Sequence, residues 1–426
     1  MANNFDSNIE KKVAKSFTKA FNSERVLSKN VNTQLLSGQF SPSTGENIYF
    51  KRPTDYKSVR TATGDVSGET KSDIVTGQAK GTVQDYFTAF VDYNEADEAI
   101  KMDQLDQLLA PMATRIVTDL ELDFGQFMMK NSGLASGTVG TAISTWDHVA
   151  EANALAQSVG IPRDGMLCMA VNPYTQVALA GNQRSLGGET GAMTANEKAV
   201  INANFAGMKV MSATTLGSYT TGTGADRAGT LSASPTVTYV AAKDTMTQSL
   251  AVTAFQANLV VAAGETVTIT AASGAVNMLN LSTREQIVDQ AGAAVLWSGT
   301  VTETVTLGAS GEGTLVVTGP AIYEANGQYN TVSQAAVSGD AITLGGAADT
   351  LIQPNLFWHK EAFAIGSVPI KKLHSTDTLA TTTDGLQFRV SKGVGFLENE
   401  QKMRIDFRPA YSVLNPFFAG KAFGRA

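Results

Sequence analysis

Apolar residues recur at helical spacing in two parts of the chain, which predicts helices there. In the N-terminal segment, residues 1–37, they stand four residues apart, at Phe5, Ile9, Val13, Phe17 and Phe21. In residues 93–144, steps of three and four join Leu105, Leu108, Leu109, Met112, Ile116, Leu120, Phe124, Phe127 and Met128. Proline suits a first helical turn and disturbs a helix interior. Pro111 therefore predicts a short helix before it and a long helix from about Pro111 to Lys130.

Residues 38–92 carry strand patterns instead. Two strand-like runs, residues 47–53 and 81–91, are joined by a long stretch rich in Gly, Ser, Thr and Asp. This order predicts an extended hairpin. An unsupported hairpin is marginally stable in water, so we expect this one to lie on another surface.

The next part of the chain, residues 145–221, alternates helical and strand patterns. It predicts helices at residues 146–159 and 172–179 and strands at residues 165–171 and 207–211. A similar residue pattern returns in residues 346–426, where strands are expected at residues 388–390 and 403–407. Both parts indicate an α/β body.

Between them, residues 222–345 differ in composition and are called the insert here. The insert is rich in Thr, Val, Ala and Gly, and short runs such as residues 236–240, 266–270 and 314–317 are separated by glycine turns. It carries 3 basic and 9 acidic residues, against 29 and 30 in the rest of the chain. Regular short strands with turn signals predict an independent antiparallel β barrel or sandwich.

Charge and cysteine content exclude several classes of protein. Charged residues make up 17% of the 426 residues, below the roughly 25% typical of soluble domains, which indicates that other protein covers much of the surface. The net charge is −7, so contact with nucleic acid should be weak and local. A single cysteine, Cys168, excludes an intramolecular disulfide, and we expect it to be a small buried residue.

No residue pattern indicates catalysis, a metal or a cofactor. His148, His359 and His374 do not stand at ligand spacing, and no nucleotide-binding loop or nucleophile motif is present. Asp119, Glu121 and Asp123 alternate along the long helix, which is typical of a solvated acidic face. The sequence therefore predicts a protein that is not an enzyme and holds no cofactor.

Six residues are candidates for contact between subunits. Lys51, Arg52, Lys57 and Arg60 form a local basic cluster on the hairpin, and Phe17 and Phe21 lie on the N-terminal apolar stripe. For the basic cluster, pairing with a neighbouring subunit and a solvated loop rim both remain open. The apolar stripe could equally pack on its own core or on a partner.

The order of these parts, together with several stretches, carries a family resemblance. The stretches are residues 33–53, 98–111, 115–121, 353–357, 365–369 and 372–375. They resemble the major capsid (coat) proteins of tailed bacteriophages, and more narrowly those of short-tailed enterobacterial phages that carry an inserted β-barrel domain. Inside the insert the resemblance rests on position and β character.

The resemblance implies an α+β fold, the tailed-phage major capsid protein fold, with an inserted all-β domain. It assigns residues 1–37 to an N-terminal arm and 38–92 to the E-loop hairpin with strands of the P-domain. Residues 93–144 would hold the P-domain spine helix, and residues 145–221 the first part of the A-domain. The barrel would occupy residues 222–345, and residues 346–426 would complete the A- and P-domains.

The resemblance also implies a function and partners. Such proteins form the hexamers and pentamers of an icosahedral shell around double-stranded DNA, first as a precursor built with a scaffolding protein and a portal protein. The precursor expands when DNA is packaged. We therefore expect a virion capsid location, assembly in the host cytoplasm, weak non-specific DNA contact on the inner face, and no membrane partner. The alternative is a β-rich adhesive or carbohydrate-binding surface protein.

Overall fold

A computed structural model describes most of the chain. The described residues are 14–15, 18–19, 25–33, 47–69, 71–94, 105–185, 204–235, 237–270, 276–374, 377–382, 384–395 and 400–425. The chain divides into two compact units. The first comprises Met1–Tyr49, Lys80–Gly125 and Phe363–Val413, and the second comprises Phe50–Ala79, Gln126–Ala362 and Leu414–Ala426. Residues 50–79, which belong to the second unit, are called the hairpin segment below.

The long helix of the first unit spans Leu105–Lys130 and continues past residue 125 into the second unit. Ile116, Leu120 and Phe124 are almost completely buried, as the four-residue spacing predicted. The predicted break at Pro111 is wrong, because the helix runs through it. Pro111 is exposed and lies near the helix start, so water can bond the carbonyl that the proline leaves without an N–H partner.

Two further sheets contain four strands each. The order in one is Asn47–Lys51, Gln78–Val83, Pro409–Val413 and Phe363–Ser367; in the other it is Thr378–Thr381, Gln387–Gly395, Glu400–Phe407 and Phe87–Asn94. The second sheet is antiparallel, and Met403, Ile405 and Phe407 on one of its strands are fully buried. Their spacing of two places all three on one face. A short 3₁₀ helix, Ser28–Asn30, precedes these elements.

A mixed six-stranded sheet forms part of the second unit. Its strand order is Leu134–Ser136, Ala419–Ala422, Asn355–His359, Leu167–Val171, Met208–Ser212 and Asn204–Phe205. Leu167–Val171 is buried at every position, and the expected burial of Cys168 is confirmed. The second unit also contains the α-helices Trp146–Val159 and Pro173–Ser185 and the 3₁₀ helix Pro416–Phe418. The first helix ends where predicted, because Gly160 takes the left-handed conformation (φ 99°) that closes its last turn.

Six strands within residues 222–345 form a closed barrel in the second unit. Around the barrel they are Thr247–Thr253, Gly313–Thr318, Ser298–Val301, Thr266–Thr270, Ala341–Leu344 and Ala228–Leu231. Leu250, Val267 and Leu315 are among the buried side chains of its core, and the indole of Trp297 donates to the carbonyl of Gly319 at 2.9 Å. Closure leaves no strand edge to pair with another chain. Two strand pairs lie outside the barrel, Val260–Val261 with Val305–Thr306 and Tyr219–Thr220 with Leu351–Ile352.

One predicted strand of the insert is a helix. The described part of residues 236–240 contains the start of the short helix Tyr239–Ala242. Thr238 precedes it with extended backbone, and its side chain accepts a hydrogen bond from the N–H of Ala241 at 3.3 Å. Threonine suits both a strand and this capping position, so the residue pattern alone did not separate the two.

The insert should fold by itself, because its barrel is closed and has its own core. We expect residues 222–345 alone to melt cooperatively as a β protein, and Leu250→Ala to lower the unfolding free energy by about 2–5 kcal/mol through the cavity it leaves. The matched control is Ser249→Ala, an exposed position on the same strand, with an expected change within about 0.5 kcal/mol. Denaturant unfolding followed by circular dichroism measures both, and a disordered spectrum for the fragment would contradict the expectation.

Candidate functional site

The four basic residues predicted on the hairpin do not form one surface patch. Lys51 and Arg60 are exposed, whereas Arg52 is buried. Lys57 is exposed but its Nζ donates to the carbonyl of Asn326 in the insert at 2.7 Å. We expected the hairpin to lie on another surface, and at Lys57 it does contact the insert. A role for the four residues between subunits stays a prediction, and Lys51 and Arg60 are its most accessible members.

Arg52 has an internal role in this fold. Its backbone N–H donates to the carbonyl of Gly77 at 2.8 Å, and its guanidinium reaches the carbonyl of Asp244 at 3.5 Å. Burial lowers the pKa of Arg52 to about 10, and the nearby Tyr239 and Asp244 partly oppose this shift. A buried cation remains stable only where it is hydrogen-bonded, so Arg52 ties the start of the hairpin segment to the insert.

The two aromatic candidates, Phe17 and Phe21, lie outside the described residues. Their described neighbours at 14, 15, 18 and 19 are helical, and the hydroxyl of Thr18 donates to the carbonyl of Ala14 at 2.7 Å. These residues agree with the helix that the apolar stripe predicted. What the stripe packs against stays a prediction.

The root of the N-terminal segment is anchored by a buried carboxylate that the sequence did not reveal. Glu121, on the long helix, is 1% exposed. It accepts hydrogen bonds from the backbone N–H groups of Val26 at 3.2 Å, Leu27 at 2.6 Å and Ser28 at 3.0 Å, and from the Ser28 hydroxyl. The expected solvated acidic face is therefore wrong at Glu121. Successive N–H groups that converge on one carboxylate form a strong, charge-assisted anchor.

Arg25 adds further hydrogen bonds at the root of the N-terminal segment, residues 25–32. Its guanidinium donates to the Asp384 carboxylate at 2.9 Å, and to the hydroxyl and carbonyl of Ser28 at 2.7 and 2.9 Å. Burial lowers the pKa of Arg25, while Asp384 and Glu121 oppose the shift. A few residues on, the N–H of Asn32 donates to the carbonyl of Phe363 at 3.1 Å. The root, residues 25–32, is thus fixed to the first unit at several points.

A second buried charge cluster lies in the second unit, where the insert meets the six-stranded sheet. Lys421, on a strand of that sheet, is fully buried, and its Nζ donates to the carbonyl of Gly264 at 2.8 Å. Burial lowers the pKa of Lys421 to about 7, and the nearby Glu265 opposes the shift. Glu265 is itself fully buried and pairs with Arg227. These residues are far apart in sequence, so no spacing could have predicted that they meet.

Glu265 is satisfied mainly by the insert's own backbone. Its carboxylate accepts from the N–H of Gly222 at 3.1 Å and of Ala262 at 3.0 Å, besides the Arg227 guanidinium. Tyr219 packs nearby, and burial together with Glu265 raises the pKa of its hydroxyl. The start of the insert and its turn at residues 262–265 are therefore held at a buried, charged junction. Such a junction specifies one geometry, because any displacement leaves a buried charge unpaired.

Comparison with known proteins identifies the chain. A family model described as P22 coat protein, gene protein 5, matches residues 1–424. The major capsid protein of Acyrthosiphon pisum secondary endosymbiont phage 1 is 36% identical over 428 residues, which cover 100% of this chain and 100% of that protein. The chain therefore has the α+β fold of the tailed-phage major capsid proteins and is a structural protein of a phage capsid. Within that class it belongs to the P22 coat protein family.

Two solved phage structures resemble this chain, with low sequence identity. A structure from Mycobacterium phage Che8 covers 93% of this chain and 90% of its own at 11% identity, with a TM-score of 0.45. The capsid of cyanophage P-SCSP1u covers 94% and 88% at 10% identity, with a TM-score of 0.40. Both TM-scores are low, so membership rests on the family model and the full-length relative.

The described residues hold no cluster of three or more His, Cys, Asp and Glu side chains that could bind a metal ion. His359, which is buried, is satisfied by the Asp164 carboxylate at 2.9 Å. Among the helices of the described residues, none combines the length and hydropathy needed to cross a bilayer.

Removal of the charge on Glu121 should loosen the root of the N-terminal segment. Glu121→Gln keeps the shape but places an amide NH₂ against N–H donors, so we expect a loss of about 2–3 kcal/mol in unfolding free energy and faster hydrogen exchange at residues 26–28. The control is Asp119→Asn on the same helix, where only an exposed pair with Arg115 is lost and about 0.5 kcal/mol or less is expected. Equal effects of the two substitutions would contradict the anchor.

The buried Lys421 should make stability depend on pH. The unfolded chain keeps this proton up to a pKa near 10.5, whereas the folded chain releases it near 7. From about pH 7 to about pH 9 the unfolded state binds more protons, so the unfolding free energy rises with pH by up to about 1.4 kcal/mol per unit. Lys421→Met should lose this rise, measured as the difference in unfolding free energy from the unsubstituted chain across that range. The matched control, Lys360→Met, removes an exposed cation and should keep it.

Proposed function

We propose that this capsid protein assembles as hexamers and pentamers into an icosahedral shell around double-stranded DNA, through a precursor that needs a scaffolding protein and starts at a portal protein. The precursor expands when DNA is packaged, and assembly takes place in the host cytoplasm. The observation that carries the proposal is full-length similarity to a phage major capsid protein. The proposed role is structural, with no enzymatic step.

The anchored roots support this proposal physically. One chain must fit several slightly different environments in a closed shell, so its extended parts have to adapt while their points of attachment stay fixed. Glu121 and Arg25 fix the root of the N-terminal segment in the first unit, and Arg52 ties the hairpin segment to the insert within the second unit. We propose accordingly that residues 1–37 act as the N-terminal arm, that residues 38–92 contain the E-loop, and that the other parts follow the boundaries given above.

The distribution of charge supports weak contact with the packaged DNA. Outside the insert, 29 basic and 30 acidic residues nearly cancel. Without a basic surplus, little counterion release is available to hold the phosphate backbone. We propose that DNA contacts the inner face weakly and without sequence preference. Family membership favours this function over the adhesive or carbohydrate-binding alternative.

Shell formation is tested by electron microscopy of the chain expressed with and without a scaffolding protein. We expect closed shells of uniform diameter with the scaffolding protein, and irregular shells, tubes or rings without it. A chain that stays strictly monomeric at high concentration in both conditions would contradict the proposal.

Charge reversal tests the accessible basic residues of the hairpin. We expect Lys51→Glu with Arg60→Glu to reduce shell yield severalfold while the melting temperature stays the same, because both side chains are exposed in the single chain. The matched control reverses two exposed cations elsewhere, Arg163→Glu with Lys360→Glu. Light scattering during assembly measures the yield, and an equal loss in both double variants would speak against a specific hairpin contact.

A further inference from the structure

The insert contacts both sides of the hairpin segment near its base, residues 52–57 and 73–78. The insert residues that make these contacts, Tyr239, Asp244, Arg284, Gln328 and Tyr329, are called the hairpin clamp here. They come from three separated parts of the insert, which the barrel fold brings together. All the contacts lie within the second unit.

An aromatic pair forms the centre of the clamp. The rings of Tyr239 and Tyr329 stack with centroids 3.7 Å apart and an interplanar angle of 9°, and both residues are buried. The hydroxyl of Tyr329 accepts from the N–H of Asp55 at 3.3 Å and donates to the carbonyl of Val75 at 3.2 Å. One hydroxyl therefore joins both sides of the hairpin segment to the insert.

Gln328 makes a second bridge of the same kind. Its side-chain amide donates to the carbonyl of Asp55 at 3.1 Å and to the carbonyl of Asp73 at 2.7 Å. Arg284 pairs with the carboxylate of Asp55 and also donates to the carbonyl of Asn330 at 2.8 Å. Because Arg284 holds Asn330, it orients the loop that carries Gln328 and Tyr329.

The third contact brings the two backbones close together. The carboxylate of Asp244 accepts from the N–H of Gln78 at 2.9 Å. A Cβ atom at Gly77 would lie 2.5 Å from the carbonyl oxygen of Lys243, so the approach requires a glycine there. The clamp thus holds the hairpin segment at residues 55, 73, 75 and 78, on both of its sides.

Beyond the clamp the hairpin segment is solvated. Residues 58–69 are exposed apart from the half-buried Thr61. The hydrogen bonds described in this tip are local, from the N–H of Ser67 to Asp65 at 2.9 Å and from the N–H of Glu69 to the carbonyl of Val66 at 3.1 Å. The division between a held base and a solvated tip falls where the N–H of Lys57 donates to the hydroxyl of Ser72 at 2.9 Å.

We propose that the hairpin clamp holds the base of the hairpin segment in one orientation, so that the tip is presented in advance to a second copy of the chain. The proposal rests on the proposed assembly into a shell. A segment that is oriented before association loses less conformational freedom on binding, so the clamp lowers the concentration at which copies assemble. The insert would then act on assembly through the hairpin segment as well as through its own surface.

Removal of the bridging hydroxyl, Tyr329→Phe, tests the clamp while it keeps the stacked ring. We expect hydrogen exchange at residues 54–57 and 73–78 to become about tenfold faster, and exchange in the barrel strands to stay the same. The critical concentration for shell assembly should rise about threefold or more. The matched control is Tyr323→Phe, which alters an exposed tyrosine in the same part of the insert and should change neither quantity.

Gln328→Ala is the second variant, because it removes the other bridge from a partly exposed loop. Unchanged exchange at the base in both variants would overturn the clamp. Faster exchange with an unchanged critical concentration would overturn its role in assembly. If the unsubstituted chain formed no shells under any condition, the proposed function would fail, and the exchange measurement would still decide whether the clamp holds the hairpin segment.

Discussion

The described root of the N-terminal segment, residues 25–32, is held by hydrogen bonds to its backbone as well as by the buried side chains of Leu27 and Val31. The Glu121 carboxylate is the strongest case, since it accepts from three consecutive N–H groups and a hydroxyl in a site closed to water. Burial of a carboxylate is costly unless donors surround it, and the donors here belong to the segment that must be held. The long helix therefore carries a binding site for the chain's own N-terminal segment. The same logic applies to Arg52, which is buried at the start of the hairpin segment and reaches the carbonyl of Asp244 in the insert.

Within the second unit, the insert is joined to the six-stranded sheet by charge as well as by packing. Lys421 comes from the six-stranded sheet, and Glu265 and Arg227 come from the insert. The barrel has its own apolar core, and Met246 and Met278 of the insert also belong to the apolar cluster that contains Phe357 of the six-stranded sheet. The buried charges add to this packing, because a tilt would separate Lys421 from the carbonyl of Gly264 and leave the desolvation of its ammonium group uncompensated. The depressed pKa of Lys421 is the sign of that cost.

These anchors explain how a coat protein can be both adaptable and specific. Adaptation to different positions in a shell needs segments that change direction, and specificity needs that change to begin at defined residues. In the first unit, Glu121 and Arg25 hold the root of the N-terminal segment. In the hairpin segment the boundary lies near Lys57 and Ser72, where the clamped base gives way to the solvated tip. Under the assembly proposed above, the insert acts on subunit association by holding this base.

The sequence by itself determined the local elements and the class of protein. Four-residue apolar steps gave the long helix, two-residue steps gave the strand at residues 403–407, and Thr- and Val-rich runs between glycines gave the barrel strands, because each pattern depends only on neighbours in the chain. The pattern failed where a residue suits two structures, as at Thr238, or where one exposed proline is tolerated, as at Pro111. Only the tertiary structure decided that Glu121 is buried beneath the N-terminal segment, that Lys421 meets Glu265, and that Arg284 pairs with Asp55. These partners are 95, 156 and 229 positions apart, and no local pattern records which distant segments a fold brings together.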